Sequence, residues 1–201
     1  MEQVKPYYQD EYVTLYCGDC ADILPHLPPV DLVLTDPPYG INIAANPVRQ
    51  RFEKLSWDAK PVNYKLLQLI IPKGRIAIVW GGNYFNLPPQ QCFYVWDKGQ
   101  PEEFSLAMVE QAWTNNRGPA KLFRKKVTTY KKSHPTQKPV ELMSWCINKV
   151  KNVETVLDPF AGSGTTLVAA KNMGKKSIGI EREEKYCKVI VERLRQGVLG
   201  L

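Results

Sequence analysis

Short apolar runs alternate with segments of helical spacing along most of the chain. The longest runs, VDLVLT at 30–35 and RIAIVW at 75–80, predict strands buried on both faces of a sheet. Further strands are predicted at 12–16, 92–96, 106–113, 155–157 and 177–180. Apolar residues at three- and four-residue intervals predict helices at 21–27, 62–71, 140–150, 165–173 and 183–195.

This alternation of strands and helices predicts an α/β fold with a mainly parallel, doubly wound sheet. The chain has 201 residues, enough for one domain with a sizeable core. It contains no internal repeat, low-complexity tract or long linker. We therefore expect a single domain over residues 1–201.

Charge adds a candidate partner. The formal net charge is +7, and the stretch from 117 to 132 contains no acid. Its basic residues are Arg117, Lys121, Arg124, Lys125, Lys126, Lys131 and Lys132. They predict phosphate contacts of a nucleic acid, although a solvated loop is the alternative. A polar loop at 41–61, with Arg49 and Arg51, is expected either to close over the same partner or to be a surface loop.

Several classes are disfavoured. No apolar run approaches the roughly 20 residues that span a membrane, and the N-terminus lacks a signal-peptide pattern, so a cytoplasmic protein without a membrane partner is expected. The five cysteines are irregularly spaced and do not predict a disulfide framework. His26 and His134 are the only histidines, so no metal site is expected.

The segment VLDPFAGSGTTLVAA at 156–170 predicts a strand, a glycine-rich turn and a helix. Threonines follow Gly164 where a nucleoside-triphosphate loop has lysine, and Leu167 replaces the third glycine of a dinucleotide fingerprint. Glu181 follows Gly162 by 19 residues, close to the offset at which an acid meets ribose hydroxyls. The pattern predicts a nucleoside without a pyrophosphate. S-adenosyl-L-methionine fits, with Asp158 or nearby carbonyls facing its ammonium group.

A second motif, Asp36-Pro37-Pro38-Tyr39, follows the apolar run at 30–35. The Asp36 carboxylate and the Pro37 carbonyl could each accept one hydrogen of an exocyclic amine, on a backbone that the prolines stiffen. Tyr39 offers a ring face for a flat base. The amine of adenine is a poor nucleophile because its lone pair is delocalised. Two acceptors would favour a more tetrahedral, more reactive nitrogen.

These motifs resemble those of the β-group amino DNA methyltransferases, a Class I S-adenosylmethionine-dependent family. DPPY at 36–39 resembles the catalytic motif, DPFAGSGTT at 158–166 the cofactor motif, and Glu181 the acid that follows it. LYCGDCADIL at 15–24 and HPTQKPVEL at 134–142 resemble two further cofactor motifs. The resemblance implies a catalytic set of Asp36, Pro37, Pro38 and Tyr39. It implies a cofactor set of Asp19, Cys20, Asp36, His134, Thr136, Lys138, Asp158, Phe160, Gly162, Ser163, Gly164, Thr165 and Glu181.

The catalytic motif precedes the cofactor motif, which is the β-group order. In the family's sheet the two motif strands are neighbours at the topological switch point, where ligands collect. The implied reaction is methylation of adenine N6 in double-stranded DNA, with the base flipped out of the helix.

The recognition region is short. Residues 97–133 are the expected DNA-contacting segment, and basic residues hold phosphates without reading bases. A short or loosely defined target sequence is therefore expected, unless a partner chain or a homodimer supplies recognition.

Other reactions remain open to different degrees. N4 methylation of cytosine is the nearest alternative, although Asp36 resembles the adenine enzymes more than the Ser-Pro-Pro-Tyr cytosine type. C5 methylation needs a Pro-Cys nucleophile, which the chain lacks. Glutamine or RNA methylation would resemble Asn-Pro-Pro-Tyr more closely. A non-catalytic DNA-binding protein with this fold is a distant alternative.

Overall fold

The computed structural model describes residues 4–40, 62–103, 107–127 and 137–196. Six residues of the predicted sites lie outside these ranges: Arg49, Arg51, Lys131, Lys132, His134 and Thr136. Their predicted roles stay predictions.

Within the described ranges, nine strands form one sheet in the order β1-β2-β9-β8-β3-β4-β6-β5-β7. The strands are β1 Tyr8–Gln9, β2 Val13–Cys17, β3 Val30–Thr35, β4 Gly74–Trp80, β5 Phe93–Asp97, β6 Val109–Thr114, β7 Lys121–Arg124, β8 Thr155–Asp158 and β9 Lys176–Glu181. The five strands β2, β9, β8, β3 and β4 are parallel, whereas β1 and β6 pair antiparallel with their neighbours. The predicted mainly parallel sheet is confirmed.

Five helices cover the two faces of the described sheet. They are α1 Cys20–Ile23, α2 Tyr64–Ile70, α3 Val140–Asn148, α4 Thr165–Asn172 and α5 Glu184–Gln196. α1 and α2 pack on one face, and α3, α4 and α5 pack on the other. Side chains alternate across a strand. Leu32 and Leu34 of β3 therefore pack on the face covered by α3 and α4, while Val33 packs on the face covered by α1 and α2. The doubly wound arrangement is thereby confirmed.

The strand order places the two motifs together. β3 and β8 are adjacent and parallel, so Asp36 and Asp158 lie at the same edge of the sheet. The chain leaves β3 through α2 to β4 on one side, and leaves β8 through α4 to β9 on the other. The boundary between β3 and β8 is thus the switch point of the sheet, where a crevice opens.

Three local features differ from the sequence expectations. The helix expected at 21–27 is divided into α1 and a 3-10 turn, Leu24–His26, because Pro25 cannot donate a backbone hydrogen bond and its ring clashes with the preceding turn. The short strand β1 was not expected. β7 was also not expected. Its only apolar residues, Leu122 and Phe123, lie between basic residues in a segment that was interpreted as a DNA-contacting region.

Among the residues that the structure describes, no helix is both long enough and apolar enough to cross a lipid bilayer.

Candidate active site

A cavity of about 340 Å³ opens at the carboxyl ends of the parallel strands. Eleven residues of the predicted site line it: Asp19, Cys20, Asp36, Pro38, Lys138, Asp158, Phe160, Gly162, Ser163, Thr165 and Glu181. Pro37, Tyr39 and Gly164 are not among the lining residues. Two motifs more than a hundred residues apart in sequence therefore share one crevice.

The glycine-rich turn after β8 forms the floor of this cavity. Gly162 and Gly164 have φ angles of +54° and +76°, in the left-handed region that favours glycine. A Cβ on Gly164 would lie 2.9 Å from the side chain of Ile190 in α5. Gly164 thus brings the turn close to α5, while Gly162 and Ser163 face the cavity.

Glu181, at the end of β9, closes one end of the cavity. Its carboxylate accepts hydrogen bonds from the backbone N–H groups of Gly162 and Glu183, each at 2.8 Å. Burial raises the pKa of Glu181 to about 7, and these two hydrogen bonds oppose the rise. The protein fixes this acid in place and keeps it available to further donors.

Asp158, at the end of β8, is almost fully buried in the middle of the site. Its Oδ1 accepts hydrogen bonds from the Thr35 hydroxyl at 2.8 Å and from the Phe160 N–H at 3.1 Å. Burial raises the pKa of Asp158 to about 6, so it is mostly ionised at neutral pH. The predicted contact of Asp158 to a cationic ligand group stays a prediction.

Asp36 and Tyr39 occupy the other end of the site. The Tyr39 hydroxyl donates a short hydrogen bond to Asp36 Oδ1. The Tyr39 ring stacks on Tyr84, with centroids 4.9 Å apart, and packs against the backbone of Gly81, where any Cβ would collide with it. Tyr84 is 46% exposed. The predicted role of Tyr39 as a platform for a base stays a prediction, and Tyr84 is an aromatic neighbour that the sequence did not single out.

Lys138 contacts Asp36 directly. The resemblance assigned Lys138 to the cofactor, but its Nζ lies 2.5 Å from Asp36 Oδ2 and 3.1 Å from Glu110 Oε2. Glu110 in turn pairs with Lys98 at 2.6 Å. The sequence did not single out Glu110 and Lys98, although an acid inside the strand predicted at 106–113 is a signal for a buried ion pair.

Arg193 of α5 is a second residue that the sequence did not reveal. Its guanidinium donates hydrogen bonds to the Ser163 carbonyl, to the Ser163 hydroxyl at 3.0 Å and to the Thr165 hydroxyl at 3.4 Å. These contacts hold the glycine-rich turn from below. Arg193 follows the amphipathic spacing of its helix, so no local pattern distinguishes it from a surface cation.

The described part of the basic segment lies at one edge of the sheet. Arg117 and Lys121 are exposed. Arg124 pairs with Asp97 at 2.7 Å, and Lys125 pairs with Glu141 at 2.7 Å. Since these pairs already partly neutralise two of the predicted phosphate contacts, Arg117 and Lys121 become the stronger candidates.

The lining of the cavity fits the predicted cofactor. Apolar walls from Phe160, Ile180 and Tyr186 suit a flat heterocycle, and Glu181 beside them suits ribose hydroxyls. No basic cluster suited to a pyrophosphate was expected here, and the lining contains more acids than bases. Together with Asp158, this set suits a nucleoside that carries positive charge.

Comparison with known proteins gives concordant matches. A family model described as DNA methylase, for N6 and N4 enzymes, matches residues 79–192, more than half of the chain. The type II methyltransferase M2.DpnII of Streptococcus pneumoniae is 40% identical, across 94% of this chain and 92% of the relative. The type II methyltransferase M2.LlaDCHI of Lactococcus lactis subsp. cremoris is 25% identical, across 96% of this chain and 93% of the relative.

Solved structures share the fold at lower identity. PvuII DNA methyltransferase, described as cytosine-N4-specific, superposes with a TM-score of 0.69 at 18% identity, over 94% of this chain and 88% of that one. The M1.HpyAVI–SAM complex superposes with a TM-score of 0.61 at 22% identity, over 90% and 98%. These two likenesses concern the fold alone.

Proposed function

The chain belongs to the S-adenosyl-L-methionine-dependent family of DNA N6/N4 methyltransferases, and we propose that its own reaction is methyl transfer to N6 of adenine in double-stranded DNA. The observation that carries this proposal is that the Asp36 carboxylate and the Glu181 carboxylate line the same cavity. One acid suits an amine and the other suits a ribose. A donor nucleoside and an acceptor base would therefore meet in one crevice.

The cofactor would occupy the part of the cavity between the glycine-rich turn and α1. Glu181 would accept hydrogen bonds from the ribose, and Asp158 would face the methionine ammonium. Asp19, which caps α1 by accepting the Ala21 N–H at 2.9 Å, would lie near the adenine of the cofactor. When bound, S-adenosyl-L-methionine supplies an electrophilic methyl group on a sulfonium.

Asp36 would act on the target amine at the opposite end of the cavity from Glu181. Its carboxylate accepts one hydrogen of the target amine, and the Pro37 carbonyl accepts the second. Transfer would form the N–CH3 bond as the S–CH3 bond of the cofactor breaks; the preorganised carboxylate would stabilise the positive charge that develops on the nitrogen, and the amine would then lose one proton. The same charge would develop on N4 of cytosine, so the preference for adenine is supported by the resemblance of Asp36 to the adenine enzymes rather than to the Ser-Pro-Pro-Tyr cytosine type.

The target base would have to leave the duplex, because its amine is paired and stacked there. Tyr39 and Tyr84 form the aromatic wall next to Asp36. The exposed Tyr84 ring would be available to an incoming base, since stacking on an aromatic face compensates for the lost base stacking. We assign the flipped base to this wall.

The product identifies the reaction. Unmethylated DNA is incubated with the protein and cofactor carrying an isotopically labelled methyl group, and the DNA is then hydrolysed to nucleosides for mass spectrometry. We expect labelled N6-methyldeoxyadenosine. Labelled N4-methyldeoxycytidine would contradict the choice of adenine while leaving amine methylation intact. Absence of any labelled nucleoside would contradict the reaction itself.

The segment 97–133 is proposed to hold the DNA backbone. Arg117 and Lys121 support this proposal because both are exposed, with Lys121 beginning the edge strand β7. Phosphate contacts release counterions, and so they set the salt dependence of binding rather than its sequence preference.

Replacing Arg117 and Lys121 together with alanine is expected to weaken DNA binding similarly for all sequences. The slope of log K against log salt should fall by about 1.8, because each lost phosphate contact contributes about 0.9. Fluorescence anisotropy with labelled duplexes at several salt concentrations measures this slope. Lys151→Ala with Lys176→Ala, at the amino-terminal edge of the sheet, is the control, and an equal change in both double variants would contradict the assignment.

A further inference from the structure

A buried chain of alternating charges extends from the catalytic carboxylate into the protein. Lys138 is only 4% exposed in its side chain, and its Nζ lies within 3.1 Å of three oxygens. These are Asp36 Oδ2, Glu110 Oε2 and the Tyr39 hydroxyl. The Tyr39 hydroxyl accepts a hydrogen bond from this ammonium group, Asp36 Oδ2 is its nearest ion-pair partner, and Glu110 Oε2 is an ion-pair contact without hydrogen-bond geometry.

The chain continues on the far side of Lys138. Glu110 Oε1 pairs with Lys98 Nζ at 2.6 Å, and Lys98 lies over the Trp96 ring at 5.4 Å. The four charges alternate in sign from Asp36 to Lys98 and sum to zero. Burial alone would raise the pKa of Glu110, but Lys138 and Lys98 lower it to about 2, so it is ionised at neutral pH. Such a network persists in a protein interior because each charge is paired.

Both oxygens of Asp36 are engaged in this structure. Oδ2 contacts Lys138, and Oδ1 accepts the hydrogen bond of the Tyr39 hydroxyl. Each carboxylate oxygen can accept a second hydrogen bond, so a target amine can either join these partners or take the place of one of them. The two partners differ in what their displacement would cost.

Lys138 is the partner that is expensive to displace. Moving it would leave the Lys138 ammonium and the partly buried Asp36 carboxylate without an opposite charge, and Glu110 with Lys98 alone, which costs more than breaking one neutral hydrogen bond. Tyr39 can release Asp36 by rotating one hydroxyl, and that hydroxyl still has Lys138 as a donor at 3.1 Å. Tyr39 is thus the partner that the amine can replace.

We propose that Lys138 is a positioning residue for methyl transfer, which holds Asp36 through Oδ2 so that Oδ1 faces the target amine, and that Glu110, fixed by Lys98, holds Lys138 in turn. This inference rests on the proposed function, because it assigns Asp36 to the amine. It removes Lys138 from the set of cofactor contacts that the sequence motif implied.

The two neighbours act on Asp36 with opposite signs. Burial raises the pKa of Asp36, Lys138 lowers it, and Glu110 raises it. Tyr39 and Asp158 are the other titratable groups facing Asp36. Burial dominates, so the pKa of Asp36 is raised overall; Lys138 opposes this rise and favours the ionised carboxylate, while Glu110 partly offsets the effect of the lysine charge.

Lys138→Met and Glu110→Gln test this arrangement through the pH dependence of turnover at saturating cofactor. Lys138→Met is expected to lower turnover about thirtyfold and to move the acid limb of the profile to higher pH, because Asp36 loses its cation. Glu110→Gln is expected to lower turnover a few-fold and to move the acid limb to lower pH. Cofactor affinity, measured by calorimetry, should stay within about threefold in both variants.

Opposite shifts of the acid limb separate positioning from a purely structural role, since loss of folding alone would move neither limb. Parallel shifts, or none, would overturn the proposal. A tenfold or larger loss of cofactor affinity in Lys138→Met with normal turnover at saturation would return Lys138 to the cofactor site. If Lys138→Met does not fold, Lys138→Arg should retain most of the turnover and an acid limb near that of the wild type, and a shift as large as that expected for methionine would overturn the proposal.

The surface pair Lys175–Glu154, with a 2.8 Å contact, supplies the matched controls. Lys175→Met and Glu154→Gln make the same chemical changes far from Asp36 and should leave the profile unchanged. If the wild-type protein transferred no methyl group, the proposed function itself would be contradicted. If the wild-type protein transferred methyl groups normally but the acid limb stayed unshifted in the variants, only the inference about Lys138 would be contradicted.

Discussion

Replacing Asp36 with asparagine is expected to lower the rate of methyl transfer about a thousandfold. The substitution keeps the shape of the side chain and removes the negative charge beside the amine on which positive charge develops. The carbonyl oxygen of asparagine could still accept one hydrogen, so the loss reports the charge rather than the contact. Single-turnover transfer of a labelled methyl group to unmethylated DNA, at saturating cofactor, measures it.

Cofactor affinity should change little in the same variant, because Glu181 at the other end of the cavity and Asp158 in its middle remain in place. Glu154→Gln is the control for removing a carboxylate, since Glu154 pairs with Lys175 on the surface. If Asp36→Asn lost cofactor affinity but transferred normally at saturation, Asp36 would belong to the cofactor site. A rate within a few-fold of the wild type would exclude it from the chemistry.

The central sheet and the ends of its strands were predictable from local signals. β3 matches the predicted 30–35, because an apolar run and the following proline pair mark both the strand and its end. β8 and β9 extend one residue beyond their predictions at the carboxyl end, onto Asp158 and Glu181. An acid directly after an apolar run in a parallel sheet lies at the ligand edge by geometry alone. These particular residues were therefore found without a structure.

The charge network was not predictable, because its members come from separate segments. Lys98, Glu110 and Lys138 meet only after β5, β6 and the start of α3 have packed. No periodicity in any one segment predicts that meeting. The stacking of Tyr39 on Tyr84 has the same origin, since the left-handed turn at Gly81 brings Tyr84 back over the motif. β7 was not predictable because lysine and arginine make up half of its four residues. Among the described strands it pairs with β5 alone, at the edge of the sheet.

Glu181→Gln is expected to weaken cofactor binding about a hundredfold, because hydrogen bonds from ribose hydroxyls to a buried carboxylate are stronger than those to an amide. Transfer measured at saturating cofactor should recover to within a few-fold of the wild-type rate, since Asp36 and Lys138 are untouched. Isothermal titration calorimetry gives the affinity. Glu184→Gln, a nearby surface acid on α5, is the control and should bind normally.

The pH dependence of cofactor affinity gives the same acid a second and sharper test. Burial raises the pKa of Glu181 to about 7, and the ribose hydroxyls would donate to its ionised form. Affinity should therefore rise with pH, and at pH 6, where about one tenth of Glu181 is ionised, it should be about tenfold below its plateau. Asp158, with a pKa of about 6, adds a smaller change of the same sign.

Glu181→Gln should abolish most of this slope and leave only the contribution of Asp158. Wild-type affinity that stays constant between pH 6 and pH 8, or falls, would show that the bound state does not select the ionised acid. The ribose would then have to be placed elsewhere in the cavity, even if Glu181→Gln still weakened binding. The pH series therefore decides whether the carboxylate acts as an acceptor or merely shapes the wall.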